Sequence, residues 1–145
     1  MSGDANRATV RRFSEACMNA GDLAAVEEVI ASDFIDVSYG LRGMAAVKQF
    51  VQDSRSRFPQ LTFTIEEIIA EGETVAVRWS GRGTHENGRS ATWTGMGFYH
   101  LHEGQIVRHW ANVDQVALLR QSGLPPFAEW GWRCRCPSLQ FRIVL

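Results

Sequence analysis

Apolar residues recur every three or four positions up to residue 58 and every second position from residue 61 onward. Val10, Phe13 and Cys17 fall at i, i+3 and i+7, which predicts a helix over 4–20, with Gly21 where a C-terminal cap belongs. Asp22 is suited to N-cap a second helix over 23–30 carrying Val26, Val29 and Ile30 on one face. The segment DFIDVS at 33–38 alternates as a short strand. A third helix over 44–58 presents Val47, Phe50, Val51 and Phe58, and Pro59 ends it because the residue before a proline avoids the α region. Four β-rich runs follow at 61–70, 74–84, 90–101 and 105–114, separated by Gly72, Asn87-Gly88 and Glu103-Gly104, and a short helix at 115–121 stops at Gly123.

Helices grouped first and strands grouped after are the α+β arrangement, with helices on one face of an antiparallel-rich sheet. Gly81, Gly83, Gly95 and Gly97 lie inside the long strands, where glycines mark bends or bulges. The expected shape is a cone, a curved sheet wrapped around the N-terminal helices and enclosing an apolar pocket.

Composition narrows the function classes. The 145 residues are 45% hydrophobic and 21% charged, enough for one real core and too apolar for a disordered chain. Fifteen Lys and Arg against sixteen Asp and Glu leave a net charge of −1, with no excess to hold nucleic acid or an anionic membrane. No apolar run approaches the roughly 18 residues needed to span a bilayer, and the start MSGDANRATVRR lacks the core of a signal peptide, so a cytoplasmic protein is expected. Cys17 stands alone, while Cys134 and Cys136 are too close for an ordinary disulfide. His100-x-His102 has no evident third ligand, so neither metal nor cofactor is expected.

Five phrases in register carry a family resemblance: MNAGDLAAVEEVIASDFID, RGMAAVKQFV, RFPQLTFTIEEIIAEGETVAVRWSGRGTH, TWTGMGFYHLHEGQIVRHW and DQVALLRQSG. In these the chain resembles the SnoaL-like polyketide cyclases, within the superfamily of nuclear transport factor 2 and ketosteroid isomerase. The resemblance covers about 5–123. It implies one cone domain over 1–123, followed by an extension at 124–145 that matches nothing in the family. The loop GTHENGRSA is shorter than is usual there.

The resemblance places a catalytic general acid/base at Asp114. The residue itself has a second reading, because Asp114 directly precedes the run QVALLRQ and aspartate is among the best N-caps. A carboxylate in an apolar cone suits proton abstraction beside a carbonyl, with hydrogen-bond donors at the enolate oxygen. His100, Asn112, Trp110 and Tyr99 are the candidate donors, and the hairpin register decides among them. A three-residue turn His102-Glu103-Gly104 puts His100, Met96, Trp110, Asn112 and Asp114 on one face. A two-residue turn removes His100 and admits Tyr99. The similar cyclases favour the first register, which makes Asp114 and His100 the catalytic pair. Trp110, Asn112, Met96, Phe98, Tyr99 and Phe50 are then the candidates for substrate contact.

The expected function is proton transfer through an enolate on a small hydrophobic carbonyl compound, as in a polyketide cyclase or steroid isomerase. A non-catalytic ligand-binding or dimeric module, or a hydrolase or dehydratase, are the alternatives on the same cone. Asp36 and Ser38 read as an edge pair facing water or pointing into the cone. His85 and His109 read as surface or interface residues, and Trp79 and Trp93 as pocket or packing residues. Val107, His109, Ala111 and Val113 form an apolar strip expected on the outside of the sheet, where a homodimer would bury it. The tail, with Trp130, Trp132 and LQFRIVL, is expected to dock rather than stay exposed.

Overall fold

A computed structural model describes residues 2–123; the expectations for Trp130, Trp132, Cys134, Cys136 and the rest of 124–145 lie outside the described residues. Helix α1 (Gly3–Arg12) starts where the Ser2 hydroxyl accepts a hydrogen bond from the Ala5 amide. At Phe13 the helix widens into a π-helical stretch, Phe13–Asn19, where a continuous α-helix is expected. Its end is pinned from outside. The Arg55 guanidinium donates to the carbonyls of Met18 and Asn19, and the Asn19 side chain bridges the Phe63 backbone at 2.7 and 2.9 Å.

Gly21 takes φ +71 and turns the chain into α2 (Leu23–Val29), whose first amides are received by the Asp22 carboxylate at 2.9 and 3.1 Å, as its position predicts. Strand β1 (Ile30–Asp36) starts earlier than the pattern suggests, and the two-residue β2 (Leu41–Arg42) leads into α3 (Gly43–Arg57). The long strands β3 (Thr62–Glu71), β4 (Thr74–Thr84), β5 (Ser90–His102) and β6 (Gln105–Val113) form the predicted meander, and α4 (Gln115–Ser122) closes it. The sheet order is β2-β1-β6-β5-β4-β3, an α+β arrangement in which β1 lies parallel beside β6.

The helices cover one face of this sheet. Val10, Cys17, Val26, Val47 and Val51 pack against Val75, Leu101 and Ile106, and a second cluster gathers Phe58, Leu61, Ala91, Trp93 and Leu118 under α4. Cys17 is the small core residue its helix face predicts, and burial pushes its thiol up to about 12.

The β5–β6 hairpin decides which side chains meet the helices. Its turn is the two-residue one: Glu103 and Gly104 take φ +49 and +82, and His102 opposes Gln105. Leu101 and Ile106 pair and both point into the core. The register then shifts so that His100 opposes Arg108, leaving Val107 as an extra residue. Because a strand alternates with period two, that residue reverses the parity of β6. Ile106 and His109, three apart, end up on the same side.

Candidate functional site

The shift at Val107 decides which face of the sheet carries the expected site residues. Met96, Phe98, His100, Trp110 and Asn112 do share one face, but it is the face turned away from the helices. Met96 pairs with Asn112 and Phe98 with Trp110 there, and Met96 and Phe98 are 62% and 55% exposed. His100 is exposed and meets the edge of Trp110 with ring centroids 4.8 Å apart. Asp114 is exposed too, and its carboxylate accepts the Ala117 amide at 2.9 Å, which is the capping role. Of the expected contact residues, Tyr99 and Phe50 line the cavity.

The expected outer strip is inverted by the same residue. His109, Ala111 and Val113 face a cavity of about 170 Å³ between the sheet and α3, walled by Phe34, Phe50, Trp79 and Trp93 among other apolar side chains. His85, expected at the surface, is buried, with its ring edge-on to Phe58 at 5.2 Å.

A buried pair sits in this wall. Asp36 is 4% exposed rather than facing water, and its Oδ2 lies 2.7 Å from Nδ1 of His109. The parallel β1–β6 ladder makes the pair, since Asp36 and His109 are register partners and the Val37 amide donates to the His109 carbonyl at 2.9 Å. The other carboxylate oxygen accepts the Tyr39 amide at 2.8 Å. Ser38, the other half of the expected edge pair, accepts the Ala111 amide through its hydroxyl at 2.8 Å, a second tie across the same seam.

The imidazole is held from three sides. It stacks on Tyr99 with centroids 4.3 Å apart and an interplanar angle of 27°. Its Nε2 is buried and has no hydrogen-bond partner, which fits the tautomer that carries its proton on Nδ1 and gives it to Asp36. Gly97 makes the room, since a Cβ at that position would stand 2.9 Å from Nε2 and 2.8 Å from the Trp110 carbonyl.

Two phenols complete the polar end of the cavity. Burial, and then the Asp36 charge, push Tyr39 up to about 12. Burial raises Tyr99 further, with Asp36 and Tyr39 adding to it. Both therefore keep their protons at neutral pH and serve as hydrogen-bond donors. The arrangement is a carboxylate and two phenol O–H groups at one end of an otherwise apolar hollow. It suits a proton transfer that develops negative charge on an oxygen.

The sequence does carry a signal for Asp36. In DFID it follows Phe34 by two, so the two share a strand face, and Phe34 is an obvious core residue. His109 carries no such signal, because the residue that turns it inward is a bulge that alternation does not reveal.

Known structures share this fold. IdmH from Streptomyces antibioticus, a candidate polyketide cyclase, is 29% identical, with 82% of this chain and 99% of that one covered at a TM-score of 0.74. A candidate polyketide cyclase from Bacillus cereus ATCC 10987, 24% identical, covers 83% of this chain and 81% of its own at 0.77. A SnoaL-like protein from Jannaschia sp. CCS1, 20% identical, gives 86%, 95% and 0.75. None of the curated proteins matches in sequence. With the family's model matched from residue 8 to residue 122, the chain belongs to the SnoaL-like polyketide cyclase family.

Proposed function

We propose that the protein is an acid/base enzyme that moves a proton on a carbon beside a carbonyl, with Asp36 rather than Asp114 as the group that takes it. The cyclase family and the likeness to IdmH support a cyclisation or isomerisation through an enolate. The observation that carries the reading is the Asp36 carboxylate in the cavity wall, oriented by His109 Nδ1–H and the Tyr39 amide. Each carboxylate oxygen keeps a further lone pair for a substrate proton.

In the proposed step Asp36 removes the C–H proton and becomes the carboxylic acid. The C–H electron pair forms the enolate, and its charge settles on the carbonyl oxygen, to which the Tyr99 phenol donates a hydrogen bond. The acid then returns the proton to another atom of the enolate, or the enolate carbon attacks a second carbonyl in the same molecule, whose C=O π pair moves to its oxygen and takes the proton back from Asp36. The cavity, at about 170 Å³, resembles the ~150 Å³ hollows that accept benzene, so the occupant is a compound of about one ring.

Deuterium uptake from D2O into cyclic 1,3-diketones, followed by NMR, tests this without knowledge of the natural substrate. The protein accelerates exchange, Asp36→Asn loses the acceleration by about 100-fold or more, and Asp114→Asn keeps it. Loss at Asp114 with retention at Asp36 returns the role to Asp114. Binding of such rings with no exchange in any form of the protein indicates a binding module instead.

A further inference from the structure

The helical wall of the cavity changes character along its length. Val47, Phe50, Ser54 and Arg57 follow one another at helical spacing on the stripe of α3 that lines the cavity. An inward stripe is ordinarily apolar throughout, and this one is apolar only in its first half. Among the described residues that line the cavity, Arg57 is the only lysine or arginine and Asp36 the only carboxylate. Packing alone gives no reason for a half-buried guanidinium on a core-facing stripe.

The two charges stand at opposite ends. Asp36 accepts the amide of Tyr39, whose ring meets Phe50 at 5.9 Å, and Arg57 comes two turns later on α3, ~10 Å along the helix axis. On the sheet side Asp36 pairs with His109, and β6 runs from there past Ala111 to Val113, a rise of ~13 Å. Both routes arrive at one place, because Val113 packs in the cluster of Phe58 and Leu118. Arg57 directly precedes Phe58, and Gln115 opens α4 just after Val113. The far end of the cavity is therefore built from Arg57, Ser54 and Gln115.

We infer that the substrate is a cyclic ketone carrying a carboxylate on a short chain, with its carbonyl at the Asp36 end and its carboxylate at Arg57. This rests on the reading of Asp36 as the proton acceptor and adds the contact that orients the ring before it. A guanidinium presents parallel N–H groups to the two oxygens of a carboxylate, and the neutral donors of Ser54 and Gln115 suit a single negative charge. The reversed orientation would set the carboxylate beside Asp36, where like charge in an apolar wall excludes it. Attraction at one end and repulsion at the other thus leave the carbon beside the carbonyl facing Asp36.

The compound 3-(4-oxocyclohexyl)propanoate and its methyl ester test this by calorimetric titration at neutral pH, because they differ chiefly in the charge. The wild type binds the acid at least about tenfold more tightly than the ester. Arg57→Met, folded by circular dichroism, binds the two alike. Asp36→Asn keeps the preference for the acid while deuterium uptake beside the ketone is lost. Equal affinity of the wild type for acid and ester overturns the inference without recourse to any variant, and so does a preference that survives Arg57→Met. The two readings fail separately. Exchange that depends on Asp36, with acid and ester bound alike, strikes only the carboxylate contact. An Arg57-dependent preference with no exchange in any form sustains that contact and strikes only the proton transfer.

Discussion

The two faces of β5 and β6 have nearly the same chemistry and opposite fates. The inner face carries Trp93, Tyr99 and His109, and the outer face carries Phe98, Trp110 and His100. Each therefore offers aromatic rings and an imidazole. What separates them is the layer above, helices and a cavity on one side and nothing among the described residues on the other. Residue type thus says little about which side meets the helices and the cavity, and the parity of two strands says nearly everything.

Substitutions matched across the sheet measure that difference. Trp93, 5% exposed, packs on Phe58 and Phe63 with centroids 5.4 and 6.1 Å away, so Trp93→Ala is expected to cost ~3–5 kcal/mol in urea unfolding. Trp110→Ala, measured at the same protein concentration, is expected to cost about 1 kcal/mol. Equal costs would erase the distinction between the faces.

Alkaline titration reads the inner side alone, because Tyr39 and Tyr99 are the chain's two tyrosines and both line the cavity. Their folded-state values lie above the ordinary 10, so the unfolded chain releases these protons first as pH rises. The associated stability is fully present below pH 10 and is lost as pH climbs toward about 12, where Tyr39 titrates. The loss from Tyr39 is on the order of 2 kcal/mol, and Tyr39→Phe removes that share of it. Tyrosinate absorbance that appears at pH 10 in the folded protein would place the phenols in water.

Gly97→Ala sets a methyl against His109 Nε2 and the Trp110 carbonyl, so it is expected to cost ~1–3 kcal/mol and to displace the imidazole. Met96→Ala, one residue away on the outer face, is expected to stay within about 0.5 kcal/mol. The His109 ring signals in an NMR spectrum show whether the ring has moved. Asp114 also has a small effect. Replacement by Ala removes a helix cap worth about 1 kcal/mol, and Asn restores it.

Most of the fold was legible because its signals are local. Asp22, Asp114, Gly21 and Gly123 sit at helix ends where their chemistry predicts caps, and alternation from Leu61 onward marks the four long strands. Three features escaped, each for a physical reason. The π-helical stretch depends on Arg55 and Phe63, far along the chain. The parallel pairing of β1 with β6 joins segments that share no turn to announce it. The extra residue at Val107 leaves β6 strand-like in composition while exchanging its faces. Tyr99 was foreseen under the alternative register and Phe50 from its helix stripe, but Asp36 and His109 come together only through the two non-local features.

The Asp36–His109 bond spans 73 positions of sequence, which gives it a place in time as well as in space. On a chain emerging from its N-terminus, β1 is finished long before β6 exists, and β1 must keep Phe34 and Asp36 without their final neighbours meanwhile. Contacts of such long separation close late, because loop entropy opposes them until other pairings have shortened the gap. The β3–β4–β5–β6 meander, each strand hairpinned to the next, offers the nearby nucleus. The last strand to arrive then completes the sheet and the buried pair in one event, so a chain arrested before β6 lacks the Asp36–His109 bond, however well its helices have formed.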